Sequence, residues 1–254
     1  GPKSLIYGSN AIGGVLNTSI SGNPKMRVNK IYKKVVLGGE SFNKGLYGNL
    51  MLYIPIKSNQ FNISVNHRDT KNQYSPIGEL KNTYSDISNY KLGFTKYNKN
   101  GYINFAFENH NMDYGIPPSL DGHINGVDIK LAKNTFQSNY HQDITFYNFN
   151  QFDVKYNFID YGHKEFESND KLGVALNKKS NNVKMELQSL NTIIGSELNY
   201  KQFSSGGYYM TPNTDELEIS LYGFNEIDLN SFDLLSSFRL SHLTINPDEY
   251  KYDN

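Results

Sequence analysis

His163, Glu165 and Glu167 stand at alternate positions and form the chain's clearest grouping of metal-ligand chemistry. Imidazole nitrogen with carboxylate oxygen is a reasonable Zn²⁺ donor set, with bonds of about 2.0–2.2 Å. Same-face neighbours on a strand sit roughly 6.6 Å apart, so one or two of the three would act with partners from elsewhere. Glu108 and His110 repeat the spacing, and Asp113, Asp121 and His123 follow them. The plainer reading of these groups is a solvated polar wall near a rim, with Asp113 and Asp121 in ordinary turn chemistry. His67 and His242 fall on predicted apolar faces, and with His141 they are read as structural or interfacial residues.

No catalytic constellation competes with this reading. There is no cysteine, no Gly-x-Ser-x-Gly elbow and no His-Glu-x-x-His, and the remaining carboxylates do not pair, so the chain is expected not to be an enzyme. Gly8, Gly13 and Gly14 are followed by neither a helix nor the Lys-Ser/Thr of a phosphate loop. The 254 residues carry 25 basic and 25 acidic side chains, so no net field draws the chain to nucleic acid. Zero cysteines exclude disulfides and thiolate metal sites, which suits an oxidising periplasmic route.

The elements that must position these residues are strands. No stretch approaches the roughly 18 apolar residues of a spanning helix, whereas a membrane strand needs about 9–11 residues with only alternate ones apolar. A polar average composition therefore does not count against a membrane. Twenty Tyr and fifteen Phe favour sheet, and Tyr97, Tyr102, Tyr147 and Tyr156 are expected near the short turns as an interfacial girdle. Leu50, Leu52 and Ile54 alternate with Met51 and Tyr53; Phe61, Ile63 and Val65 with Asn62 and Ser64; Phe152, Val154, Tyr156 and Phe158 with Asp153, Lys155 and Asn157. His163, Glu165 and Glu167 share the polar face with the last group.

Short turns are read at 57–60, 98–101, 149–151, 190–193 and 228–231, and long polar loops at 70–85, 112–126, 168–182 and 204–215. Outer-membrane barrels segregate short and long connections to opposite ends, and a soluble sandwich has no reason to. The expected fold is all-β: an antiparallel transmembrane β-barrel, partial, of about eleven strands. Such a sheet has two open edges, so it closes as a small barrel or belongs to a larger one. The chain reads as a piece of a longer protein.

The opening GPKSLIYGSNAIGGVLN resembles the end of the plug domain in TonB-dependent outer-membrane receptors, at Gly1, Pro2, Ser4, Tyr7, Gly8, Ser9, Ala11, Ile12, Gly13, Gly14, Val15 and Asn17. DYGIPPS at 113–119, GVDIKL at 126–131, DYGHKEFE at 160–167, KLGVALNKKSNNVKMEL at 171–187 and IGSELNYKQFSSGGYYMTPNT at 194–214 are similar in order to barrel segments of the zinc-uptake branch. The sequence departs from that branch at Leu172-Gly173-Val174 and across 206–210, and a histidine-rich acidic loop is missing.

The resemblance implies residues 1–23 as the end of a plug, 24–30 as a linker, and 31–254 as the first part of a 22-stranded barrel in the cell outer membrane. It also implies as partners outer-membrane lipid, an inner-membrane TonB energy-coupling complex, and a metal or small-molecule substrate. No cofactor is expected, and zinc would be cargo. The candidate metal residues are then His163, Glu165, Glu167, His123, His110 and Glu108. Ferric siderophore, haem, cobalamin or glycan uptake is the alternative within the class, and a soluble or surface all-β binding module the alternative outside it.

Overall fold

A computed structural model of the chain describes residues 2–8, 27–120, 123–167, 171–208 and 211–248. A 3-10 segment, Pro2–Tyr7, precedes thirteen strands. These are β1 (Tyr32–Glu40), β2 (Gly45–Ile56), β3 (Asn59–Thr70), β4 (Gln73–Ser75), β5 (Gly78–Leu80), β6 (Ser85–Tyr97), β7 (Gly101–Ile116), β8 (Val127–Phe146), β9 (Phe149–Glu167), β10 (Lys171–Gln188), β11 (Thr192–Gly207), β12 (Thr214–Asp228) and β13 (Asp233–Pro247). Eleven form one antiparallel meander, each strand paired to the next, while β4 and β5 make a small hairpin between β3 and β6. β1 and β13 are the two edges of the meander. Most of the plug-like opening, Gly1 and 9–23, and part of the proposed linker lie outside the described residues.

Cross-strand registers sort the side chains into two faces. One ladder runs Phe61, Phe94, Phe105, Ser138, Tyr156, Val183, Leu198, Ile219 and His242. The ladder one residue away on the other face runs Gln60, Thr95, Asn104, Asn139, Lys155, Lys184, Glu197, Ser220 and Ser241. Pro2–Tyr7 packs on the polar ladder's side, hereafter the inner face, through Ile6 against Tyr222 and Phe224. The outer face leaves Leu92, Phe107, Ile219, Leu221, Phe238 and Leu240 exposed. The conventional order is thus inverted: buried residues of the wall include Gln60, Asn62, Thr95, Asn104, Glu186 and Ser220. A sheet of this kind is stable where the outer face meets apolar surroundings and the inner polar groups bond to one another.

The apolar part of the outer face is a band beside the short-turn end. On β9 it comprises Phe152, Val154, Tyr156 and Phe158; Asp160, Gly162 and Lys164 continue the same face beyond it. The strands outrun the band, and this explains where the sequence reading fails. Residues 171–182, expected to be loop, belong to β10 and pair with both β9 and β11. Lys178, Lys179, Ser180, Asn181 and Asn182 are polar on both faces because neither face there meets the band, so alternation vanishes while the backbone ladder continues. The 112–126 loop likewise shrinks to 117–126 and the 204–215 loop to 208–213, because β7, β8, β11 and β12 extend into them. The turn read at 149–151 falls at Tyr147-Asn148, where Tyr147 adopts φ of 50°. Tyr97 and Tyr102 pair on the inner face, with Tyr102 stacked on His141 at 5.3 Å, and so do not join an outer girdle.

Candidate functional site

β9 runs from Phe149 to Glu167 and its registers shift only at its two ends, so every odd residue from 151 to 167 faces inward. His163 lies five residues past Phe158, the last band residue, or roughly 17 Å further along the strand at ~3.4 Å per residue. The candidate residues of β9 therefore stand on the inner face beyond the apolar band, at the end bearing the long loops.

There the structure builds two imidazole–carboxylate pairs in succession. His163 Nε2 lies 2.9 Å from Glu165 Oε1, the longer side chains closing a gap that the backbone spacing leaves open. His163 is 15% exposed and sits in register between Leu131 and Leu176, with Met112 next to Leu131. The apolar flanks shield the imidazole in part, while Glu165 stays open to solvent. His123, from the 117–126 loop, places Nδ1 2.9 Å from Glu167 Oε1 and 3.1 Å from Oε2. This pair ties the loop to the end of β9.

Glu108 and His110 are inward-facing too, but on β7 they join a different set. Asn89 donates to Glu108 at 2.6 Å and lies 3.4 Å from His110 Nδ1, while Lys91 Nζ is 3.5 Å from Glu108. Asp113 faces outward opposite Lys130, and Asp121 lies outside the described residues. Among the described residues no three His, Asp or Glu side chains gather as a ligand set. The arrangement thus offers donors in pairs, too few in either pair to fill a metal ion's coordination shell.

Of the other histidines, His141 Nδ1 bonds Asp153 at 2.8 Å on the inner face, whereas His67 lies 3.9 Å from outward-facing Asp86 and His242 is outward. In the 81–84 connection, Tyr84 donates to Asp128 at 3.0 Å. Burial raises its phenol pKa to about 12, helped by that bond and by the charges of Asp128 and Asp113.

The strongest polar cluster was not apparent in the sequence. Glu186, only 5% exposed, meets Lys184 at 3.0 Å and Lys155 at 3.7 Å, and accepts a 3.0 Å bond from the Tyr222 hydroxyl. Arg239 is held by Glu197 at 2.9 Å, Ser220 at 2.9 Å and Glu218 at 3.5 Å. The N-terminal segment lands on this cluster: Lys184 donates to the Ile6 carbonyl at 3.2 Å and Ser237 to the Pro2 carbonyl at 2.7 Å. Lys-x-Glu at 184–186 is visible in the sequence, but its partners lie on strands tens of residues away.

No protein-family model matches the chain, and no curated protein does. Among solved structures, the copper transporter OprC matches 88% of this chain with a TM-score of 0.69 at 8% identity. The two share a fold. The matched region is 40% of the transporter's chain, so this chain spans less than half its length. At that identity the likeness concerns architecture and leaves the site residues to be judged on their own geometry.

Proposed function

We propose that this chain is part of a TonB-dependent outer-membrane receptor that takes up a scarce nutrient, with zinc as the cargo. The observation that carries the reading is the division of the sheet into an outward apolar band and an inward polar wall, on which Pro2–Tyr7 is docked. An outer-membrane barrel has this division, and a plug inside the lumen would make this contact. The shared fold with a copper transporter supports a metal-uptake role, and the His163–Glu165 and His123–Glu167 pairs beyond the band suit an extracellular vestibule. Energy would come from an inner-membrane coupling complex acting on the plug.

Equilibrium zinc binding to the purified complete receptor tests the site. The double change H163A/E165A is expected to weaken binding by at least about ten-fold, as loss even of supporting groups around a metal costs 10–100-fold. E108A/H110A should have a smaller effect, because those residues are joined through Asn89 and Lys91 on another strand. Equal zinc affinity in the wild type and H163A/E165A would remove the pair from the site.

A further inference from the structure

The outer face carries a groove within its apolar band. Phe94 and Phe105 form one wall and Leu92 and Phe107 the other, and the floor is the backbone of Gly93 and Ala106, which stand directly opposite each other. Its volume is about 330 Å³, within the range of small-ligand pockets. Lys96, the last outward residue of β6, follows Phe94 toward the short turns, about 7 Å further along the strand. It is exposed and stands directly opposite Asn59. The Tyr97 amide donates to the Ser58 carbonyl at 2.8 Å, so the turns that hold Lys57 and Lys99 lie side by side. Of the five turns at this end, only these two, next to the groove, carry a lysine. On β2, β3, β6 and β7 no outward carboxylate stands between the groove and the turns.

We propose that the groove and these lysines hold one anionic phospholipid, with an acyl chain in the groove and the phosphate on Lys96, beside Lys57 and Lys99. The inference rests on reading the sheet as the wall of an outer-membrane barrel, whose short turns lie on the periplasmic side and meet that leaflet. Within a bilayer an acyl chain gains packing and no water exclusion, so the aromatic walls hold it by shape and dispersion. The lysines then choose the headgroup. Three ammonium groups without a carboxylate among them attract a net negative lipid, whereas a zwitterionic lipid brings an ammonium of its own against them. The Asn59 carboxamide adds a donor opposite Lys96.

The test is native mass spectrometry of the purified complete receptor in non-ionic detergent, titrated with dipalmitoyl phosphatidylglycerol or with phosphatidylethanolamine of the same chains. The variants are K96M, K57M/K96M/K99M, the charge-preserving K96R, and L92W, which fills the groove. K179M, an exposed outward lysine at the long-loop end, is the control. Heat-modifiable migration establishes that each is folded. The expected result is one phosphatidylglycerol bound in preference to phosphatidylethanolamine, with affinity reduced roughly five-fold per lysine removed, retained in K96R and K179M, and lost in L92W. Equal binding of the two lipids, or affinity unchanged in either K57M/K96M/K99M or L92W, overturns the site while leaving the barrel reading intact. A receptor dimer that L92W abolishes, with no lipid mass added, gives the groove to a second copy and overturns the lipid. A wild type that shows no heat-modifiable migration removes the barrel reading and the site with it.

Discussion

Replacing Val154 by Arg probes the apolar band at its centre. On β9 the band spans Phe152 to Phe158, about 20 Å of strand, against roughly 25 Å for the apolar band of an outer-membrane barrel. Val154 lies between Tyr140 and Met185 in the ladder, so an inserted guanidinium finds no carboxylate beside it. A charge at the midplane of a barrel's lipid face costs about 2–4 kcal/mol, and near the interface about 0–1. Taking roughly 3 kcal/mol, Val154→Arg lowers the folded-to-unfolded ratio about a hundred-fold. Phe166→Arg, on the same face but eight residues past Phe158, should cost about 1 kcal/mol, mostly from losing the ring beneath Lys130. Asn157→Arg, facing inward, should cost less than Val154→Arg. The assay is a urea titration of the complete protein folded into lipid vesicles, read by heat-modifiable migration. Equal costs for Val154→Arg and Phe166→Arg, or the largest cost at Asn157, would refute the assignment of faces.

Tyr222→Phe removes the hydroxyl bonded to nearly buried Glu186, a loss of about 1.5–3 kcal/mol for a bond to a charged group. Because Tyr222 also covers Ile6, protease should cut the 2–8 region faster in this variant; an unchanged rate would count against the docked segment. Gly195→Ala places a methyl group into the Tyr222 ring and should act in the same direction, costing about 1–3 kcal/mol through overpacking. Tyr84, its pKa raised from 10.0 to about 12, stabilises the fold fully below pH 10 and loses that contribution as pH rises toward 12. Alkaline unfolding followed between pH 9 and 12 should therefore be steeper in the wild type than in Tyr84→Phe; superimposable curves would show that the Asp128 contact adds nothing.

The fold was legible wherever the outer face crosses the apolar band, because there a buried-versus-exposed choice is imposed on every second residue, as in Phe61–Val65 and Phe152–Phe158. It was illegible where strands run past the band, as in Lys178–Asn182, since a polar strand with two wet faces has the composition of a loop. The site was half legible. Period-two spacing was enough to set His163 and Glu165 on one face, and the contact between them follows from side-chain length. That His123 would meet Glu167, and that Glu108 and His110 would turn to Asn89 instead, depends on registers across β6 to β9 which no local pattern encodes. Arg239 with Glu197 and Glu218 is the extreme case, an ionic cluster assembled from three strands.

The central claim, an energy-coupled zinc receptor of the outer membrane, is tested most directly by labelled zinc accumulation in zinc-starved cells expressing the complete receptor, with and without a working coupling complex. Accumulation that requires both the receptor and the coupling complex is the predicted result. Accumulation no greater than in cells lacking the receptor, whatever the state of the complex, would contradict zinc as the cargo.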